Sequence, residues 1–180
     1  MKPHAFLDIE TTGLDPVKHQ ILEVAIILDP EPLAILHPDP EYTLHFSLAI
    51  NPVRASHKAL KVNRYEERAF DLKQIEVDPD DAARALVKAL SDRVVVGNNT
   101  QFDMRFIENF LRQQGADDPT PWHYHLIDVK ALVAGMCRLG PAPWLTGKIA
   151  DAIGVPVPED AHAAMADAAW NKQVYQAVTA

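Results

Sequence analysis

The sequence has one cysteine in 180 residues, Cys137. An internal disulfide is therefore impossible, and a zinc site built on several thiolates is excluded as well. Long apolar runs are also missing. No window approaches the roughly 18 consecutive apolar residues of a membrane-spanning helix. The opening MKPHAFLDIETTG has little positive charge and a short apolar stretch cut by two carboxylates, unlike a secretory signal. Basic residues are in deficit: 17 Lys and Arg stand against 25 Asp and Glu, a net charge of −8. That argues against a protein that coats DNA irrespective of sequence, which needs a broad basic face. It leaves room for an enzyme that meets nucleic acid at a few phosphates through metal ions. There is no internal repeat, low-complexity run or Ser/Gly linker, and no GxSxG, phosphate-loop or dinucleotide motif. The expectation is a single domain over 1–180, soluble, in a reducing, cytoplasmic compartment and free of membrane. A chain of this length buries about 70% of its unfolded surface and needs no disulfide staple.

Fourteen prolines punctuate the chain. The pairs Pro30/Pro32, Pro38/Pro40, Pro119/Pro121, Pro141/Pro143 and Pro156/Pro158 mark connections, since proline removes a backbone donor. Between them, HAFLDIE (4–10) and ILEVAIIL (21–28) read as buried strands, with Phe6 and Leu7 on opposite faces. YTLHFSLAI (42–50), RVVVGN (93–98) and HLI (125–127) supply three more. Segments 80–90, 101–111, 129–137, 144–153 and 163–178 carry apolar residues at helical spacing, for example Ala83, Leu86, Val87 and Leu90. Three strands, then helix, strand, helix, strand and three helices imply a mixed α/β sheet with helices on its faces.

Asp8 and Glu10 lie two apart on an apolar strand and so share one face. Side-by-side burial of like charges is unfavourable unless a cation or proton intervenes. A hard divalent cation such as Mg²⁺ resolves it. Equally open is a strand that ends at Ile9, with Glu10 solvated. Taken alone, Asp103 reads as a helix cap ahead of a ligand, because Thr100 three residues earlier makes a near capping box and a carboxylate there complements the helix dipole. Gly97-Asn98-Asn99 before it falls at a strand end, where ligands bind in open α/β sheets. His162 and Asp167 are about 140° apart on an ideal helix. They converge only if His162 precedes the helix and Asp167 points inward beside Ala164, Met165, Ala168 and Ala169. The other histidines (His4, His19, His37, His45, His57, His123, His125) show no metal-ligand spacing, and Cys137 reads as core on an apolar helix face.

Together, FLDIETTGL, GNNTQFDMRF and HAAMAD resemble the three motif blocks of the DEDD superfamily of 3′→5′ exonucleases. The His-x4-Asp spacing matches its DEDDh branch. That branch includes the proofreading subunit of bacterial replicative DNA polymerase, ribonuclease T and oligoribonuclease. The resemblance spans roughly residues 4–176, in the family's order. It implies a ribonuclease-H-like fold with a five-stranded mixed sheet and two divalent ions, Mg²⁺ or Mn²⁺, held by Asp8, Glu10, Asp103 and Asp167. Asp8 would bridge both ions, Glu10 and Asp167 would complete the first site, and Asp103 would act on the second through water. His162 would be the general base that takes a proton from the attacking water. Substrates would be 3′ ends of single-stranded DNA or RNA, with 5′-monophosphates released singly. A homodimer or a polymerase partner is the assembly the branch brings to mind.

By the same resemblance, Thr11, Thr12 and Leu14 line the pocket of the terminal nucleotide, with backbone groups around Thr12 meeting the 3′-hydroxyl and Leu14 wedged against a base. Asn99 flanks the site, and Phe102 is a stacking platform or core, with core favoured by its helical phase. The motifs divide between substrates: Gly97-Asn98 matches oligoribonuclease, whereas Thr11-Thr12 matches proofreading and ribonuclease-T-like members. The connection 28–42 is longer than the family leads one to expect. Residues 51–73 carry six cations, including Lys61 and Arg64, against three carboxylates. They form either a solvated helical face or a contact with upstream phosphates. The rival readings are a catalytically silent nucleic-acid-binding domain of the same fold, a different phosphodiesterase chemistry on the same metals, and an oligoribonuclease-type enzyme restricted to short RNA.

Overall fold

The two longest apolar runs, HAFLDIET and ILEVAIIL, pair as the central antiparallel strands of a five-stranded sheet. The computed structural model describes residues 2–29 and 43–179. The expected long connection 28–42, with Pro30, Pro32, Pro38, Pro40 and His37, lies almost wholly outside them. The strands are β1 (His4–Thr11), β2 (Ile21–Leu28), β3 (Thr43–Ser47), β4 (Val94–Gly97) and β5 (Leu126–Asp128). Their order is β3-β2-β1-β4-β5. β2 runs antiparallel to both neighbours, while β1, β4 and β5 are parallel. All eight residues of β2 are buried, as an uninterrupted apolar run requires when helices cover both faces.

The helices are α1 (His57–Val62), α2 (Tyr65–Gln74), α3 (Pro79–Leu90), α4 (Thr100–Gln113), α5 (Val129–Met136), α6 (Thr146–Ile153) and α7 (Ala164–Thr179). Alternation along β1 sorts the core into two layers. Ala5, Leu7 and Ile9 face α3 and α4, meeting Leu86, Leu90, Ile107 and Leu111. Phe6 faces the other way, toward Val129 and Val133 of α5, Ile149 of α6, and Ala168 and Val174 of α7. Alanines at Ala164 and Ala168 let α7 lie close against β1, β2 and β4. Buried Asn171 donates from Nδ2 to the Leu7 carbonyl at 3.1 Å and pins the helix to the central strand. No helix of the described residues is long and apolar enough to cross a membrane.

Local chemistry explains the helix ends. Asp78 accepts from the Asp80 N–H ahead of α3, with Pro79 in the first turn. Asp128 accepts from the Ala131 N–H ahead of α5. Gly154, at φ 72°, ends α6 in the left-handed region that glycine tolerates best. Two features depart from the sequence reading. α1 and α2 were absent from the expected helix set; α1 buries no residue and α2 buries only Leu72, so neither carries an apolar stripe to read. Cys137 is exposed rather than core, because α5 ends at Met136, past its packed stretch.

Ile107 is fully buried between α4 and the sheet. Ile107→Ala is expected to lower stability by about 2–5 kcal/mol through lost burial and a residual cavity. Urea denaturation at fixed pH measures this, and a loss below about 1 kcal/mol would contradict the packing described.

Candidate active site

Asp8 and Glu10 follow Phe6 on one face of β1, so both point toward the α5–α7 layer. The strand does not stop at Ile9. It continues to Thr11, and Glu10 is only 8% exposed, so the alternative of a solvated Glu10 is corrected. The pairing register with β2 shifts between Glu10 and Thr11, an irregularity of the kind that re-aims side chains beside functional sites.

β4, parallel to β1, leads into α4 at the same end of the sheet. A Cβ on Gly97 would lie 3.0 Å from the Leu7 carbonyl oxygen and 3.7 Å from Asp103 Oδ2. Glycine thus lets the two backbones and the carboxylate approach. The capping-box reading of Asp103 is corrected as well. Asn99 occupies the cap position in a left-handed backbone, φ 57°, without a side-chain cap bond. Thr100 lies inside the helix and donates from Oγ1 to the Ile127 carbonyl at 2.8 Å. Asp103 is left 3% exposed, and its Oδ2 has no hydrogen-bond partner among the described residues. A buried carboxylate oxygen without a donor is what a cation site presents.

The third segment joins through a loop. α7 begins at Ala164, two residues beyond His162. His162 has φ 68°, and its N–H donates to Asp167 Oδ2 at 2.9 Å. The 140° mismatch therefore disappears in the way the spacing demanded. One ligating atom each from Glu10, His162 and Asp167 lies within 4.8 Å of the others.

The electrostatics tie in the remaining two carboxylates. Burial raises Asp8 well above the usual carboxylate range, and Asp103, Asp167, Glu10 and Glu23 raise it further. Glu10 is pushed up to about 8 by burial, then by Asp167 and Glu23, with Arg68 opposing. Asp103 is raised by burial and by Glu10 and Asp128. Asp167 is raised by burial, although the His162 N–H, His162 itself and Lys130 pull it back. Four carboxyls lifted together mark like charges crowded where little solvent screens them. An all-oxygen donor set of this sort suits a hard divalent cation.

Glu23 makes the contrast. It faces Glu10 across β1 and β2 and is fully buried. Burial pushes its carboxyl up, yet His45, Arg68 and the Ala164 N–H outweigh that and hold it below its ordinary value. Arg68 Nη2 donates to both Glu23 oxygens at 2.7 Å, and His45 Nε2 sits 2.8 Å from Oε1. Glu23, Arg68, His45 and the site-facing Lys130 were not singled out as site residues from sequence. A signal existed for Glu23, the one charge inside ILEVAIIL.

The expected substrate residues lie as follows. Thr11 Oγ1 donates to the Gly13 carbonyl at 2.7 Å. The Thr12 N–H donates to Gln20 and its carbonyl accepts from the Ser56 N–H, so both backbone groups expected to meet a 3′-hydroxyl are engaged within the protein. Leu14 is 83% exposed. Asn99 is exposed and donates its N–H to Asp128. Phe102 packs partly buried against the core, its ring 5.0 Å from that of Phe106. The basic stretch is not uniform. Arg68 turns inward, Lys73 pairs with Glu76, and Arg64 pairs with Glu67 while lying 3.8 Å from Asp160. Arg54, Lys58 and Lys61 are exposed.

A family model described as an exonuclease, RNase_T, matches residues 5–175. An oligoribonuclease of Actinobacillus pleuropneumoniae is 29% identical over 138 residues, which cover 71% of this chain and 70% of that protein. One from Haemophilus influenzae is 28% identical with the same coverage. Among solved structures, the zinc-ion-bound form of the Escherichia coli ExoI–ssDNA complex matches with a TM-score of 0.70 at 15% identity, over 99% of this chain and 40% of that one. This likeness concerns the fold, and the chain spans about two fifths of that structure's length. With a five-stranded mixed sheet, Glu10, His162 and Asp167 gathered beside it, Asp103 close enough to raise Asp8, and a family match over nearly its whole length, the chain belongs to the exonuclease family, as a 3′→5′ exonuclease of the DEDD superfamily.

Proposed function

We propose that the chain removes nucleotides from the 3′ end of single-stranded or frayed nucleic acid as 5′-monophosphates, with two divalent ions, Mg²⁺ or Mn²⁺, held by Asp8, Glu10, Asp103 and Asp167. The observation that carries this reading is the meeting of Glu10, His162 and Asp167 within 4.8 Å, beside a buried Asp103 oxygen without a donor. When bound, such ions supply an activated water and stabilise the charge that develops on the phosphate. The chain's own residues do the rest. Asp8, Glu10, Asp103 and Asp167 give up their protons and offer oxygens. His162, exposed on its loop, accepts the proton of the attacking water at a ring nitrogen, as an imidazole suits near neutral pH. Asp167 holds the His162 N–H and so fixes the base relative to the carboxylates. Exposed Leu14 would offer an apolar surface to a terminal base, and Thr11, Thr12, Asn99 and Phe102 would complete that pocket. Lys61 and Arg64, both exposed, would contact the phosphates upstream of the 3′ end.

A second reading, an oligoribonuclease-type enzyme limited to short RNA, is favoured by the oligoribonuclease relatives at 28–29% identity. Matched DNA and RNA oligomers of several lengths separate the two. Fluorescent 5′-labelled substrates are expected to yield a ladder of single-nucleotide steps. Activity is expected to need Mg²⁺ or Mn²⁺ and to vanish in Asp8→Ala and Asp167→Ala while circular dichroism is unchanged. Full activity in excess chelator, or internal cuts without a ladder, would overturn the reading.

Charge crowding gives a second expected outcome, in the metal-free protein. A carboxyl whose folded pKa is raised binds its proton more tightly folded than unfolded, so stability falls as pH rises through that interval. For Glu10 the interval runs from 4.5 to about 8. Glu23, whose folded value is lowered, contributes stability above 4.5 that is lost in acid. The metal-free melting temperature is therefore expected to decline from mildly acidic pH toward pH 8. Asp8→Asn is expected to raise it at pH 8, and a lower value there would contradict the repulsion argument.

Lys61→Gln is expected to weaken oligonucleotide binding and to flatten its dependence on salt by about one unit in the log–log slope. Fluorescence anisotropy over a salt series measures this, and an unchanged slope would remove Lys61 from the interface.

A further inference from the structure

His162 stands in a backbone conformation that a residue with a Cβ seldom adopts, φ 68°, and it is exposed. Its loop does not sit in the core. It borders a cavity of about 300 Å³ lined by Arg64, Glu67, Arg68, Asp71 and the loop's own residues 160–163, and the Asp160 side chain is largely in solvent. Apolar packing therefore does little to hold the imidazole in place. Besides the Arg64–Asp160 approach at 3.8 Å, polar contacts hold the loop at three points. The His162 N–H donates to Asp167 Oδ2 at 2.9 Å, the Ala164 N–H donates to Glu23 Oε2 at 3.3 Å, and the His162 carbonyl accepts from Arg68 Nη1 at 3.3 Å.

Arg68 is the member that reaches outward from a fixed base. Its Nη2 is locked on both oxygens of fully buried Glu23 at 2.7 Å. Its Nη1 is shared between the carbonyls of His162 and of Asn63, the latter at 3.4 Å. Asn63 in turn donates from Nδ2 to the Thr11 carbonyl at 2.9 Å, next to Glu10 at the end of β1. One planar guanidinium thus connects β2, the junction of α1 and α2 and the histidine loop, and through Asn63 the end of β1. A lysine could keep the charge opposite Glu23, but a single ammonium cannot reproduce that fork.

We propose that Arg68 is a positioning residue of the nuclease reaction: anchored on Glu23, it holds the His162 carbonyl and so sets where the imidazole stands relative to Glu10 and Asp167. Arg68 acts through the His162 carbonyl it holds, not through a contact with the reacting phosphate. It belongs to the frame of the site and not to the phosphate-binding surface that its place in the basic stretch 51–73 suggested. The proposal rests on the assignment of His162 as the base.

The test combines kinetics with backbone dynamics. Arg68→Lys is expected to lower kcat by roughly 10–100-fold, the usual effect of losing a partner that orients a catalytic group, with KM changed less than about twofold. In a His162→Ala background the same substitution is expected to change kcat little, because Arg68 acts only through His162. ¹⁵N relaxation on the metal-free protein gives a readout independent of turnover. The order parameter of the His162 amide is expected to fall from about 0.85 to below about 0.6 in Arg68→Lys. Equal losses in both backgrounds, a loss confined to KM, or an unchanged order parameter would overturn the proposal. A His162→Ala enzyme with undiminished kcat would instead overturn the base assignment while leaving the order-parameter result to stand. Should Arg68→Lys fail to fold, the pair Glu23→Gln/Arg68→Gln leaves no buried charge unmatched. It is then read by the same kinetics and the same amide.

Discussion

Mutual repulsion among Asp8, Glu10, Asp103 and Asp167 is the constraint around which the molecule is organised. Burial and neighbouring negative charge raise all four, so the pocket opposes folding whenever its carboxylates ionise without a counter-charge. Such an arrangement persists only where surrounding structure over-determines it. Here that structure is the central strand, flanked by β2 and β4 and covered on both faces by helices. Leu7 and Ile9 anchor one side of β1 while Asp8 and Glu10 project from the other, and the apolar layer offsets the polar cost of the same strand.

Glu23 shows how narrow the distinction is between a carboxylate supplied with donors and one left without them. It is more deeply buried than Glu10 and directly opposite it, yet its state is reversed. Arg68, His45 and the Ala164 N–H fill its oxygens with donors, whereas Asp103 Oδ2 has none among the described residues. Sequence position does not separate them, and neither does depth. What separates them is the presence of matched donors in the folded protein, and that follows from tertiary contacts alone.

The sheet and its covering helices were legible because each carries an apolar pattern of the right period: ILEVAIIL became β2 residue for residue, and the segment around Phe102 became α4. The three motif blocks were legible through their resemblance, in order, to the DEDD exonucleases, whereas the residue pattern alone left Asp8, Glu10 and Asp103 with structural readings. Helices α1 and α2 entered only as one of two readings of the basic stretch 51–73, a solvated helical face, since α1 buries no residue and α2 buries only Leu72. The cap reading of Asp103 failed because Thr100 turns its hydroxyl to Ile127 instead, a contact 27 positions away that no local pattern encodes. Cys137 failed for a simpler reason, a helix ending one residue early.

The pocket also has a consequence for how the protein comes into being. Its acidic strand opens the fold and its histidine loop nearly closes it; Asn171 grips Leu7 across 164 positions. A chain still emerging from the ribosome holds Asp8 and Glu10 long before it holds His162 and Asp167. Until the last helix docks, the nascent polypeptide holds the carboxylates of β1 without the His162 loop and Asp167 that complete the acidic cluster.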